Sequence, residues 1–215
     1  EERAKHAVLL SMALDKNYID KTDFEVLKPA IDYYEDNGTA TDKLRTYFYQ
    51  GRIYQNAGND AAAMESFVKA ISEGEESDDI LTKARIYFNR GSIYYSLYEW
   101  DSFIETNKTA ASYFKQAGRH HSYAHCLILI VNGYTLKNEP ENALPYIDEC
   151  KQLRKIMSFP LIHGFYSSYI TYLEDCGTDA EIKDVIKEYL NTIPAESVDW
   201  LTLANAYIRL GQYED

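Results

Sequence analysis

This 215-residue chain has few turn formers, few cysteines and no surplus of basic residues. Its ten glycines and five prolines are too few for a sandwich or barrel with many hairpins, so helices are expected. The cysteines are Cys126, Cys150 and Cys176, with no CxxC pair, and neither a disulfide framework nor a zinc knuckle follows from them. The longest apolar run, Cys126 to Val131, falls far short of the ~20 residues that span a bilayer. No membrane span is expected in this stretch of chain. A basic footprint is also missing: the formal net charge is -12, whereas nucleic-acid binders neutralise phosphates with Lys and Arg. Nucleic acid is therefore not an expected partner.

What is present suits a folded protein. Hydrophobic residues make up 46% and charged residues 26%, a balance that excludes disorder as the expectation. The first residue is Glu1 rather than Met and the last is Asp215, inside a pattern described next. We read the chain as a piece of a longer polypeptide. Its location stays open: cytoplasmic, or periplasmic and membrane-anchored had a lipoprotein signal been removed.

Five segments align with one another: YFYQGRIYQNAG from Tyr47, YFNRGSIYYSLY from Tyr87, LILIVNGYTLKN from Leu127, YSSYITYLEDCG from Tyr166 and WLTLANAYIRLG from Trp200. A small-residue position falls at Gly51 and Gly91, then at Val131, Ile170 and Ala204, giving steps of 40, 40, 39 and 34. This pattern resembles the tetratricopeptide repeat, a helix-turn-helix unit with aromatic, small and aromatic positions on its first helix, then Ala and Phe on its second. The matching residues are Tyr47, Gly51, Tyr54, Ala63, Phe67 and Ala70; Tyr87, Gly91 and Tyr94; Tyr134 and Ala143; Tyr166 and Pro194; and Trp200, Ala204 and Tyr207. Phe103 stands where Ala is usual. The 40-residue step exceeds the usual 34, which implies lengthened helices or longer linkers.

The resemblance implies an all-α fold, a right-handed α-solenoid of stacked antiparallel helix pairs with about 11 helices. The expected boundaries are a degenerate pair over 1–43, repeats over 44–83, 84–123, 124–162 and 163–196, and a truncated repeat over 197–215, in one continuous series. In the degenerate pair, Glu1 to Leu14 reads as a helix with a stripe of Ala4, Ala7, Val8, Leu10 and Leu14. Thr22 is the expected N-cap of the next helix, and Pro29 kinks it or marks its real start.

The resemblance also places the first helix of each pair on a concave face. Its facing positions are Arg45, Phe48, Arg52 and Gln55; Arg85, Phe88, Ser92 and Tyr95; and His125, Ile128, Asn132 and Thr135. Arg and Tyr favour binding hot spots, and Arg grips a carboxylate with two parallel hydrogen bonds. The expectation is a groove for a protein or peptide partner carrying an acidic or C-terminal segment. Pairing of the same arginines with neighbouring Asp and Glu is an equally open reading. Asn89 fits the middle slot of the family's carboxylate clamp, but Phe48, Arg52, His125 and Leu129 depart from it, so the clamp is not present.

Other candidates are weaker. His121 and His125 stand four apart, without a third ligand at helical spacing. Tyr49, Tyr95 and Tyr98 lie off the repeat positions and are candidates for surface recognition. Asn37 and Asn107 open Asn-x-Thr triplets. No nucleophile elbow, Walker loop, dinucleotide glycine run or H-E-x-x-H appears. No catalytic residue, cofactor or metal is expected. The readings are thus a scaffold that binds a partner's peptide or helix, a sensor module similar to those of bacterial lipoproteins and regulators, and, last, an enzyme with an unrecognised site. The half-repeat from Trp200 leaves Trp200, Leu203 and Tyr207 without a covering helix, which suggests a dimer through that end.

Overall fold

In the computed structural model, residues 1–211 are described. Among them are eleven α-helices, three short 3-10 turns and no strand. The chain divides into two units, Glu1–Leu97 and Tyr98–Asp215, and the division falls inside the repeat expected over 84–123. The 212–215 end of the last expected repeat lies outside the described residues.

The first unit holds α1 (Glu2–Lys16), α2 (Lys28–Asn37), α3 (Ala40–Asn56), α4 (Asp60–Glu73) and α5 (Ile80–Ser96). Helix α1 packs on α2, and α3 packs on α4; α1, α3 and α5 touch in sequence as a row. A capping box starts α3, in which Thr39 accepts from the Asp42 N–H and Asp42 accepts from the Thr39 N–H. The core is Leu27, Ala30, Leu44, Phe48, Ala63, Phe67, Ala70 and Ile86, all fully buried. Burying each large side chain contributes about 1.5–3 kcal/mol.

Two expectations for this unit are corrected. Thr22 caps nothing: α2 starts at Lys28, with Pro29 in its first turn. Proline lacks an N–H and disfavours helix before it, so it belongs at a start rather than inside. The buried stripe of α1 is Ala4, Ala7, Val8 and Ser11, while Leu10 faces solvent.

The second unit holds α6 (Trp100–Gln116), α7 (His120–Leu136), α8 (Leu144–Leu153), α9 (Leu161–Cys176), α10 (Asp179–Thr192) and α11 (Trp200–Arg209). Here α6 packs on α7, α7 on α8, α9 on α10, and α7, α9 and α11 touch in sequence. A Cβ on Gly133 of α7 would lie 2.6 Å from Ile104 and 3.0 Å from Phe103, so bulk on α6 meets a gap on α7. The phenol of Tyr189 accepts a 2.7 Å hydrogen bond from the Asp199 N–H and ties α10 to the start of α11.

The long step of the repeat has a simple origin. Helices α3, α5, α6 and α7 are each 17 residues long. Turns at 57–59, 97–99, 117–119 and 137–139 follow them, each with a left-handed middle residue: Gly58, Tyr98, Gly118 and Asn138. Two such helices and two such turns fill 40 residues. In the first repeat the shorter α4 is followed by a six-residue linker at 74–79, which restores the phase. Both lengthened helices and a longer linker therefore contribute.

The structural repeat positions are mostly covered. Tyr47, Gly51, Ala63, Phe67, Ala70, Gly91, Ala143 and Tyr166 are buried, while Tyr54, Tyr87, Tyr94, Tyr134 and Tyr207 are half-buried. Pro194 stands two residues past the end of α10 and is the N-cap of a 3-10 turn. Helix α11 departs from the pattern. It packs on α9 through Leu203 and Ala206, so the expected small position Ala204 faces solvent beside Trp200, Leu201 and Ile208. Leu203, expected to lack a cover, is buried.

Candidate functional site

The row of α1, α3 and α5 carries a continuous polar network. On α3, Arg52 donates from Nε to Asp15 Oδ1 at 3.0 Å. Its Nη1 donates to Gln55 Oε1 at 2.8 Å and to Asn89 Oδ1 at 3.0 Å. On α5, Arg85 donates from Nη2 to the other Asp15 oxygen and from Nη1 to the Tyr49 hydroxyl at 3.5 Å. Gln55 Nε2 reaches Ser92 Oγ at 2.8 Å, and Asn89 Nδ2 donates to the Arg85 carbonyl at 2.7 Å. Asp15, at the end of α1, thus bridges two guanidinium groups from two other helices. Its side chain is only 12% exposed, against 23% for Arg52 and 32% for Arg85.

The third arginine of the expected face is also engaged. Arg45 Nε donates to Asp79 Oδ2 at 2.6 Å, and Asp79 caps α5 by accepting from the Thr82 N–H at 3.1 Å. Burial alone would raise the Asp79 carboxyl. The Thr82 N–H, the Arg45 guanidinium and the Thr82 hydroxyl outweigh it and hold the group below the usual carboxylate range. Of the two readings of Arg45, Arg52 and Arg85, the structure shows the pairing one. Asp20, 65% exposed, adds a second carboxylate 3.9 Å from Arg52, so the Arg52 and Arg85 guanidinium groups are matched by two carboxylates.

Phe48 is not a surface residue. It is fully buried, its ring lies against Phe67, and the Arg85 guanidinium covers it 4.8 Å from the ring centroid. Tyr49 is likewise buried, and burial pushes its hydroxyl above the ordinary phenol range. Phe88 and Asn89 are half-buried, and Tyr95 and Tyr98 are exposed. On α7, in the other unit, His125 is exposed, Asn132 and Thr135 are half-buried and Ile128 is buried. Although part of the His125 ring meets solvent, desolvation by its surroundings and repulsion from His121 hold its imidazole below the ordinary value. His121 Nε2 lies 3.4 Å from Ser158 Oγ. No group of three or more His, Cys, Asp or Glu side chains is arranged to hold a metal among the described residues. Burial pushes the thiols of Cys126 and Cys150 up to about 12. Asn107 is fully buried and donates to the Phe103 carbonyl, which leaves no room for a glycan.

Across both units, many side-chain bonds join residues 34–37 positions apart, one repeat on. One motif recurs three times. Lys69 meets Glu35 and Tyr47, Lys115 meets Glu149 and Tyr123, and Arg154 meets Glu188 and Tyr166. These ion pairs are partly exposed and each contributes about 0–1 kcal/mol. Asp15 was absent from the candidates read in the sequence. The 40-residue step of the aligned segments gave no sign of it, because Asp15, Arg52 and Asn89 follow one another at intervals of 37.

The openings in the first unit differ in kind. Beside Asp15 and Arg52 the cavity is about 20 Å³, room for about one water molecule. Between α4 and the end of α5 an apolar cleft of about 710 Å³ is lined by Ala61, Met64, Val68, Ile93, Tyr94 and Leu97. No helix among the described residues is long and apolar enough to cross a membrane. Comparison with protein-family models, with curated proteins and with solved structures finds no match to this chain.

Proposed function

We propose that this chain is a tetratricopeptide-like scaffold whose first-helix face holds a peptide segment of a partner protein, with acidic character in the segment. The observation that carries the reading is the network on α1, α3 and α5. Side chains one repeat apart join into a polar strip, the partly exposed guanidinium groups of Arg52 and Arg85 lie within it, and Ser92 and the half-exposed Tyr95 continue it on α5. A solenoid of stacked helix pairs would present such strips along its inner wall, and contacts from one repeat to the next are what stacking requires. Arg and Tyr in a partly dry surface are the side chains from which binding hot spots are made. Under this reading the protein is not an enzyme and uses no cofactor.

The test is a titration of the 215-residue chain with a fluorescein-labelled octaglutamate peptide, followed by anisotropy. Saturable binding is expected, weakened by salt because charge contributes to it, and weakened about tenfold by Tyr95→Ala, the effect of about 1.4 kcal/mol. Val68→Ala, in the apolar cleft, should leave it unchanged. Equal binding of an octalysine peptide, or indifference to Tyr95→Ala, would remove this face from consideration.

A further inference from the structure

We propose that the end of α1 is an internal stand-in for the partner's carboxylate, and that an acidic peptide binds by displacing Asp15 from between Arg52 and Arg85. The proposal rests on the peptide-binding reading and adds the chemistry and the competitor. A single carboxylate bridging two arginines, each on a different helix, is the arrangement an incoming acidic side chain or chain terminus would need. Here the chain supplies that group from a residue 70 positions away from Arg85. While it does so the site is shut, since the adjoining cavity of about 20 Å³ admits no side chain.

The element that supplies Asp15 is lightly held. Helix α1 buries only Ala4, Ala7, Val8 and Ser11, whereas Leu9, Leu10 and Met12 remain in solvent. Small side chains remove little apolar area from water, so hydrophobic anchoring of α1 is weak compared with that of α3. Beyond α1, Tyr18 is 91% exposed and sits in the left-handed region at φ 56°, and Ile19 is also exposed. Exchange of one carboxylate for another conserves both charge-assisted contacts. The apparent affinity for the peptide is then reduced by the fraction of molecules in which α1 is open.

Asp15→Asn keeps the shape and removes the charge. With the labelled octaglutamate peptide, Asp15→Asn is expected to bind at least tenfold more tightly than the wild-type chain, and Asp15→Glu to behave as wild type. Arg85→Gln placed in the Asp15→Asn chain should abolish the gain. A second measurement avoids the variants altogether. Hydrogen exchange at the amides of residues 12–20 of the wild-type chain should quicken when the peptide is saturating. Equal affinity of the wild-type and Asp15→Asn chains, at equal helix content, overturns the stand-in while the peptide-binding face survives. So does unchanged protection of residues 12–20 in the complex. Absence of binding by either chain overturns both.

Discussion

Phe67 of α4 occupies the space that a side chain on Gly51 of α3 would need: a Cβ there would lie 2.4 Å from its Cε1. The ring is fully buried and part of the core, so it cannot swing away. Gly51→Ala therefore overpacks the α3–α4 contact. The cost of about 1–3 kcal/mol exceeds the ~1 kcal/mol that Ala gains over Gly in a helix. Gly164→Ala in α9 is the control, because nothing lies within 4 Å of its added Cβ. Urea denaturation should show the first variant destabilised and the second neutral or slightly more stable.

Phe48 and Tyr95 separate burial from recognition. Both belong to the face expected from the repeat, yet one is fully buried and the other half-exposed. Phe48→Ala should cost about 3–5 kcal/mol of stability. Tyr95→Ala should change it by no more than about 0.5 kcal/mol. Thermal unfolding followed by circular dichroism distinguishes the two.

The left-handed turn position offers a swap. Tyr98 has φ 61° and Asn138 has φ 63°, at equivalent places 40 residues apart. Asn tolerates this region and an aromatic side chain does not. Tyr98→Asn should stabilise by about 0.5–1 kcal/mol and Asn138→Tyr should destabilise by a similar amount, given a left-handed cost of about 1–2 kcal/mol. Paired melting curves of the two variants check the sign of each.

Asp79 gives a pH dependence. Its carboxyl is held below the usual range in the folded chain. Such a group stabilises the fold above its unfolded value of about 3.9, and that stability is lost as pH falls through the lower folded value. Asp79→Asn keeps a capping side chain but no charge, so it should be less stable than wild type at pH 7. The difference should shrink towards pH 3. Asp79→Ala also loses the cap, worth about 0.5–2 kcal/mol. Denaturant midpoints at the two pH values measure both.

The helices and their phase were legible because the signals are local. Tyr47, Gly51 and Tyr54 recur as Tyr87, Gly91 and Tyr94, and these positions are buried or half-buried on α3 and α5. The start of α2 was legible only in part. Thr22 and Pro29 offered competing signals, and the missing N–H of Pro29 prevailed. Gly133 was missed for a different reason. It lies two residues past the aligned small position and faces α6, the helix that precedes it, so the repeat alignment carried no sign of it. Ala204 was misread because α11 buries Leu203 and Ala206 instead.

By itself the sequence determined that this chain is helical, where its turns fall and which side chains recur, since periodicity and turn chemistry act over a few residues. Only the tertiary structure decided what the polar recurrences do. Arg52 and Arg85 read equally well as a waiting groove or as structural partners, and the choice depended on Asp15, 37 and 70 residues away. No local pattern encodes which carboxylate arrives at a guanidinium. That is settled when α1, α3 and α5 pack side by side and desolvation leaves each buried charge in need of an opposite one.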